Sequence, residues 1–405
     1  MWDLSKFFDK ECLIDCLNEV YKYDIKGKLY RLLYALNKNT KFCVQTPVGV
    51  TKAIDRGEGV GQGTLEGALI SAVNLDSGVQ DFFKSSKHEA TYGPLYLSPL
   101  LYQDDVARLC RSVSDAQAGN SRMETLSETK LLNYNLEKSC FLVLGKKKAK
   151  EEVQSQLKST PLTLCGQAMM QSDSAKYLGD WLSSGGLADS VRITISKRLG
   201  LTKMAIFETR SIIEDCRSML TGGLSAGVTI WESSIVPKLL YNSECWLEIS
   251  KPALQQLESV QLQFLRVLLA TGSGCPKPAL YWDTGIIMMK YRILKSKLLF
   301  LHHLEHLPDD SLAKEVYKVQ KELNLPGLYK ECSQFLTESG ILDVKGFSKY
   351  QWKKIVSRKI VQLNKMEILE TMKSYKKLDV KEYENLEFCQ QTYLKQMDVS
   401  KARLN

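Results

Sequence analysis

Apolar side chains recur at helical spacing through residues 10–36: Leu13, Cys16, Leu17 and Val20, then Ile25, Leu29, Leu32, Leu33 and Leu36. Lys26-Gly27 interrupts the series and Asn37 to Asn39 closes it, so the pattern predicts one long helix or two short ones. Phe42 to Ile54 alternates and is rich in β-branched residues, as a hairpin requires, with Thr46-Pro47 near its bend. Gly57, Gly59, Gly61 and Gly63 lead into a helical stretch from Leu65 to about Lys84. Leu95 to Cys110 reads as strand, tight polar turn and strand, Asp115 to Leu132 as a helix, and Phe141 to Leu144 as a short strand. Tyr177 to Trp181 closes this block, with Gly185-Gly186 as the boundary.

Beyond the boundary the pattern changes. Helical periodicity runs from Ser190 to about His306, broken at Gly222-Gly223, Pro237 and Gly272–Pro278. From about Leu307 the chain is helical again but more polar and basic, with eleven Lys/Arg against four Asp/Glu between Ile341 and Lys381. The expected organisation is therefore 1–185, 186–306 and 307–405, within an α+β fold.

Composition narrows the class. At 405 residues and 44% hydrophobic, the chain is folded rather than wholly disordered, with room for two or three domains. Fifty-five basic against 46 acidic side chains leave +9, much of it near one end. The apolar stretch around Leu298–Leu301 is broken by Lys290, Lys295 and Lys297, and Met1-Trp2-Asp3-Leu4-Ser5-Lys6 has no signal-peptide core. No membrane span or signal peptide is read, and an intracellular protein of nucleus or cytoplasm is expected. Eleven scattered cysteines without a CxxC pair fit reduced thiols. His302 and His306 share a helical face that could suit a metal, but no third ligand converges, and a solvated helix face is the simpler reading.

The residues with most chemistry are Asp104 and Asp105, adjacent between two apolar runs. By themselves they fit an ordinary polar hairpin turn. Yet carboxylates crowded at a rigid bend repel one another, and a divalent cation relieves that repulsion. With a third acid from a neighbouring strand, they would form a cage for two Mg²⁺ ions, with Mn²⁺ as the substitute, of the kind that serves nucleotidyl transfer. Asp3 is the candidate third acid.

Several segments carry a resemblance. Trp2-Asp3-Leu4-Ser5-Lys6-Phe7-Phe8-Asp9 resembles motif A of reverse transcriptases, and Leu101-Tyr102-Gln103-Asp104-Asp105 resembles their motif C. Gly59-Val60-Gly61-Gln62-Gly63 is similar to motif B, residues Leu132 to Lys138 to motif D, and Lys176-Tyr177-Leu178-Gly179 to motif E, the primer grip. The five occur in order with family-like spacing over residues 1–182, most like the polymerases of LINE-type (non-LTR) retrotransposons, in the branch bearing a restriction-like endonuclease. Gln103 stands where those enzymes more often carry a small residue.

The resemblance implies an RNA-directed DNA polymerase: a palm with a ferredoxin-like antiparallel sheet, then an all-helical thumb and a helical connector. Asp3, Asp104 and Asp105 would ligate the metals, with Lys138 beside the pyrophosphate. Phe8 would exclude a 2′-hydroxyl, while Gln62, Gly63 and Tyr102 would line the nucleotide and template pocket. Leu178 and Gly179 would hold the primer end. Read for themselves, Phe8 is a core aromatic and the glycine series could suggest a dinucleotide loop, though no βαβ pattern follows it.

Arg192, Lys197, Arg198 and Lys203, with Arg210 beyond, lie on a predicted helix that would suit a thumb gripping an RNA–DNA duplex, or equally an ordinary charged helix face. Lys345–Lys381, with Tyr350, Trp352 and Tyr375 interleaved, reads as a nucleic-acid surface or as the connector. Lys146-Lys147-Lys148 reads as a solvated turn or a phosphate contact. Partners implied are an RNA template, a DNA primer and dNTPs, together with a fingers segment from the same element. Because the family's fingers region precedes motif A, the chain is expected to be the middle of a polyprotein, with fraying at Asp3. The alternative is a catalytically inactive remnant that binds RNA or RNA–DNA hybrid.

Overall fold

The computed structural model describes residues 1–38, 40–56, 58–83, 90–97, 99–212, 223–375, 378, 380–384 and 388–389. Asn39, Gly57, Lys84 and Gly222, and the end of the 307–405 segment, lie outside the described residues. The fold is α+β, predominantly helical with small, mostly antiparallel sheets. It divides into two compact units, Met1–Leu178 and Gly179–Asn405. Among the described residues no helix is long and apolar enough to cross a membrane.

In the first unit, two helices form where the periodicity allowed one: Leu13–Lys22 and Gly27–Asn37. The chain leaves the first through Asp24 and Gly27, both left-handed (φ 63° and 68°), which an unbroken helix cannot contain. The next segment is a hairpin in two tiers, Lys41-Phe42 on Ile54-Asp55 and Gln45-Thr46 on Gly49-Val50, with Pro47-Val48 at its tip. The single strand–turn–strand expected over 95–110 becomes two hairpins, Ala90–Tyr92 with Leu95–Leu97 and Leu100–Tyr102 with Asp105–Ala107. Pro99 lies between them and has no amide to carry a ladder through. The strand expected over 141–144 is shorter, Cys140-Phe141, paired in parallel with Met170-Gln171.

Helix Val113–Lys130 starts where the Ser112 hydroxyl accepts the Asp115 amide and ends at left-handed Leu131. With helix Leu65–Phe83 it covers one face of the sheet Trp2-Asp3, Asp105–Ala107, Leu100–Tyr102. Trp2, Leu4, Phe7, Leu75, Val79, Val106, Met123 and Leu126 are the buried core between them. That face is what fixes the other: in a pleated strand, alternate residues must point the opposite way.

The second unit is helical around Trp231, stacked on Phe264 with ring centroids 4.4 Å apart, and the buried Trp246 and Trp282. At Pro237 the helix is not broken but widened: the Val236 amide reaches back to the Trp231 carbonyl in a π turn. A proline lacks an N–H and crowds the carbonyl four residues earlier, and one wide turn relieves that clash. A second cluster packs Leu298, Leu301, Phe335 and Val356 around Trp352, whose indole nitrogen donates to the Leu298 carbonyl at 2.8 Å. His302 meets the Phe347 carbonyl at 2.8 Å and His306 the His302 carbonyl at 2.9 Å, so both rings are engaged by backbone.

Candidate active site

Register decides what this sheet offers. Trp2 stands opposite Val106, and Val106 opposite Leu101, forming a row that faces the core. The next row across the same strands is Asp3, Asp105 and Tyr102, and it faces outward. Two carboxylates 102 positions apart in sequence are thus direct cross-strand partners, a like-charge pairing that destabilises a sheet unless a counter-charge is present.

Asp3 is held from both sides. One side is the ladder to Asp105; along the other runs the segment 133–140. The Asp3 amide donates to the Ser139 hydroxyl at 3.0 Å, the Asp3 carbonyl accepts the Asn135 amide at 2.8 Å, and the Ser5 amide donates to the Asn133 carbonyl at 2.7 Å. The fraying expected at Asp3 is therefore opposed by backbone bonds on both edges. The same segment turns at Asn135 to Lys138 and brings the Lys138 ammonium 4.0 Å from the Asp3 carboxylate.

Charge and burial act together here. Burial raises the Asp3 carboxyl above its ordinary range; Lys138 opposes the rise and Asp104 adds to it. Burial also raises Asp105, with Asp104 and Asp3 reinforcing the shift and Lys176 opposing it. Asp104 itself sits on the bend after Gln103, which adopts a left-handed φ of 55°. A cleft of about 350 Å³ opens beside the row, walled by Asp3, Asp105, Lys138, Lys176, Ser172 and Tyr177. The Tyr177 hydroxyl is pushed up by burial and then by Asp105.

Hard oxygen donors under mutual repulsion are the chemistry a divalent cation relieves, so Asp3, Asp104 and Asp105 fit Mg²⁺ in kind. Among the described residues, however, no group of three His, Cys, Asp or Glu is already gathered to hold a metal.

The other expected residues fall as follows. Phe8 is half-buried, packed against the core cluster, with its ring edge-on to Phe7 at 5.4 Å. The Gly59–Gly63 loop is tied directly beneath it: the Val60 amide donates to the Phe8 carbonyl at 2.7 Å and the Gly59 amide to the Glu11 carbonyl at 3.0 Å. Gln62 and Gly63 are exposed at the end of this loop, just ahead of helix Leu65–Phe83. A Cβ on Gly59 would stand 2.7 Å from the Phe8 oxygen and 2.8 Å from that of Asp9, at φ +87°. Gly59→Ala is thus expected to cost about 2 kcal/mol or more in the unfolding of this unit. Gly63→Ala, with open space around it and only its φ of +86° to strain, should cost about 1 kcal/mol. Chemical denaturation of the two variants checks the difference.

Leu178 and Gly179 form a turn with consecutive positive φ of 47° and 84°, at the end of one unit and the start of the other. In the second unit Arg192 pairs with Asp189 at 2.6 Å, Lys197 lies 5.2 Å over the Trp181 ring, and Lys203 is exposed. Arg198, expected on the same gripping face, turns inward instead. Its guanidinium binds Asp180 at 2.5 Å, the Gly179 carbonyl at 2.9 Å and the Tyr241 carbonyl, between the rings of Tyr241 and Trp246. A single-residue count of basic charge could not separate it from its exposed neighbours. Sequence reading also left Ser139 and Glu11 unassigned, because neither carries a local signal, and it gave Lys176 no charge role at the site.

A scan against protein-family models finds no match to this chain, and a search of curated proteins finds none.

Proposed function

We propose that the chain is the polymerase portion of a non-LTR retrotransposon reverse transcriptase, an RNA-directed DNA polymerase that extends a primer 3′-hydroxyl. Residues 1–182 would supply a palm, and the helices that follow a thumb and connector. The observation that carries the reading is the outward row Asp3–Asp105–Tyr102, with Lys138 beside it: Asp3 from motif A, Asp105 and Tyr102 from motif C and Lys138 from motif D, three segments remote from one another in sequence, meet at one sheet face. The sequence likeness alone would not require that meeting.

Asp3, Asp104 and Asp105 would hold Mg²⁺, which when bound supplies charge neutralisation at the transferring phosphoryl group. Around it this chain's own groups orient substrate. Lys138, exposed apart from its contact with Asp3, can donate to an anionic oxygen arriving at the cleft. Lys176 adds a second positive charge to the same wall. Tyr102, largely exposed at the row's end, offers a ring face to a base or sugar. In the helical part, the solvent-facing Lys197 and Lys203 could meet duplex phosphates, and Arg198 is spent internally.

The test is primer extension by the purified chain on an RNA template with a DNA primer and dNTPs. Mg²⁺-dependent extension is the expected result. Salt-sensitive binding of RNA–DNA hybrid without extension would mark an inactive remnant instead.

A further inference from the structure

The segment after Asp3 is anchored by a carboxylate that the polymerase reading leaves idle. Glu11 is fully buried. Its two oxygens accept the Asn74 side-chain amide at 3.0 Å, the Ser71 hydroxyl and the Cys16 thiol at 3.6 Å. Ser71 and Asn74 belong to helix Leu65–Phe83, which the Gly59–Gly63 loop enters. Lys130, from helix Val113–Lys130, completes the cluster by donating to the Asn74 side-chain Oδ1 at 2.8 Å and to the Glu19 carboxylate at 3.2 Å. Burial pushes the Glu11 carboxyl up from its usual range while Ser71, Asn74, Cys16 and Lys130 pull against it. An isolated buried carboxyl costs several kcal/mol, so its retention at a point where an apolar side chain would pack asks for a role.

The main chain on either side supplies one. The Glu11 carbonyl accepts the Gly59 amide and the Phe8 carbonyl accepts the Val60 amide. Glu11 therefore ties the Phe8–Glu11 strip to the glycine loop through its backbone, and to the helix behind that loop through its side chain. The absent Cβ of Gly59 lets the two strips approach to contact.

We propose that Glu11 is a positioning residue that sets the gap between Phe8 and the Gln62-Gly63 loop, and thereby the selection of deoxyribose over ribose. The proposal rests on the polymerase reading. A ring rejects a 2′-hydroxyl only if its wall is fixed to a fraction of an ångström, because a yielding wall admits the extra oxygen.

The experiment compares incorporation of dUTP and UTP, which differ only in the 2′-hydroxyl, opposite template adenine by the full chain. Glu11→Leu keeps the volume and removes the hydrogen bonds. It is expected to lower the dUTP-over-UTP ratio of kcat/KM about tenfold, through a lower KM for UTP, with kcat for dUTP changed less than about threefold. Glu11→Gln should restore the ratio to within about threefold of the parent, and Glu19→Gln, elsewhere in the same polar cluster, should leave it unchanged. Folded Glu11→Leu with the parental ratio would overturn the proposal. If that variant does not fold, Ser71→Ala approaches the same carboxylate from the helix. It should lower the ratio about threefold and speed hydrogen exchange at the Gly59 and Val60 amides, and no change in either overturns the assignment. A parent chain that folds but extends no primer sinks the polymerase reading and the sugar role with it. The amide exchange then still reports separately whether Glu11 holds the loop.

Discussion

Asp105→Asn is expected to abolish the primer extension proposed for this chain, by on the order of 10³-fold, while leaving the free protein more stable than its parent at neutral pH. The two effects share one cause. Asp105 stands opposite Asp3 in the ladder and next to Asp104, and burial together with both neighbours raises its carboxyl. A carboxyl raised by folding favours the protonated native state. Its contribution is fully present below the ordinary aspartate value of 3.8 and is lost as pH climbs through the elevated one. Asparagine carries no charge to repel, so the variant's advantage should be absent below about pH 3.8 and grow across that window. Added Mg²⁺ should raise the melting temperature of the parent more than that of the variant, since the cation would relieve a repulsion among three carboxylates that the variant keeps only between Asp3 and Asp104. Thermal melts from pH 3 to pH 8, with and without Mg²⁺, check this. A variant destabilised at pH 7, or one that still extends primer, would count against the paired carboxylates as a metal site.

The second large effect lies in the helical unit. Arg198→Met is expected to destabilise that unit by about 3–5 kcal/mol. Asp180 receives the Arg198 guanidinium, the Asn242 amide at 2.6 Å and the Trp246 indole at 3.4 Å, and both members of the ion pair are mostly buried. Removing the arginine strands a charged carboxylate among rings. The double variant Arg198→Met/Asp180→Asn should recover much of the loss, because it takes away the stranded charge as well as its partner. Denaturant unfolding of the single and double variants measures this, and equal stability of parent and Arg198→Met would show the clamp to be incidental. Under the proposed nucleic-acid role, Lys203→Ala should lower the salt dependence of RNA–DNA hybrid binding, and a folded Arg198 variant should leave it unchanged.

Much of the first unit could be read in advance, and particular residues show why. Pro47 and the alternation around it mark a hairpin because proline excludes a continued ladder and alternate apolar residues need a period of two. The helix expected from about Asp115 begins two residues earlier, at Val113, because the Ser112 hydroxyl caps it. Local chemistry of this kind survives in the string of letters. The split of residues 90–107 into two hairpins was less legible, since the effect of Pro99 depends on which strands lie beside it. The inward turn of Arg198 was not legible at all: whether a guanidinium meets solvent or Asp180 depends on a partner 18 residues away and on two rings, Tyr241 and Trp246, further still.

By itself the sequence determined the α+β class, the helix-rich second half, and the residue types able to hold a divalent cation. It could not determine that Asp3 faces Asp105. A shift of one residue in that ladder would put Asp3 in the core row and Trp2 in water, with the motifs unchanged. What prevents the shift is burial of Trp2 against Val106 and Leu101 beneath two helices, a choice made by side-chain volume and desolvation across remote segments. The composition of the site is local, but its geometry belongs to the packed sheet.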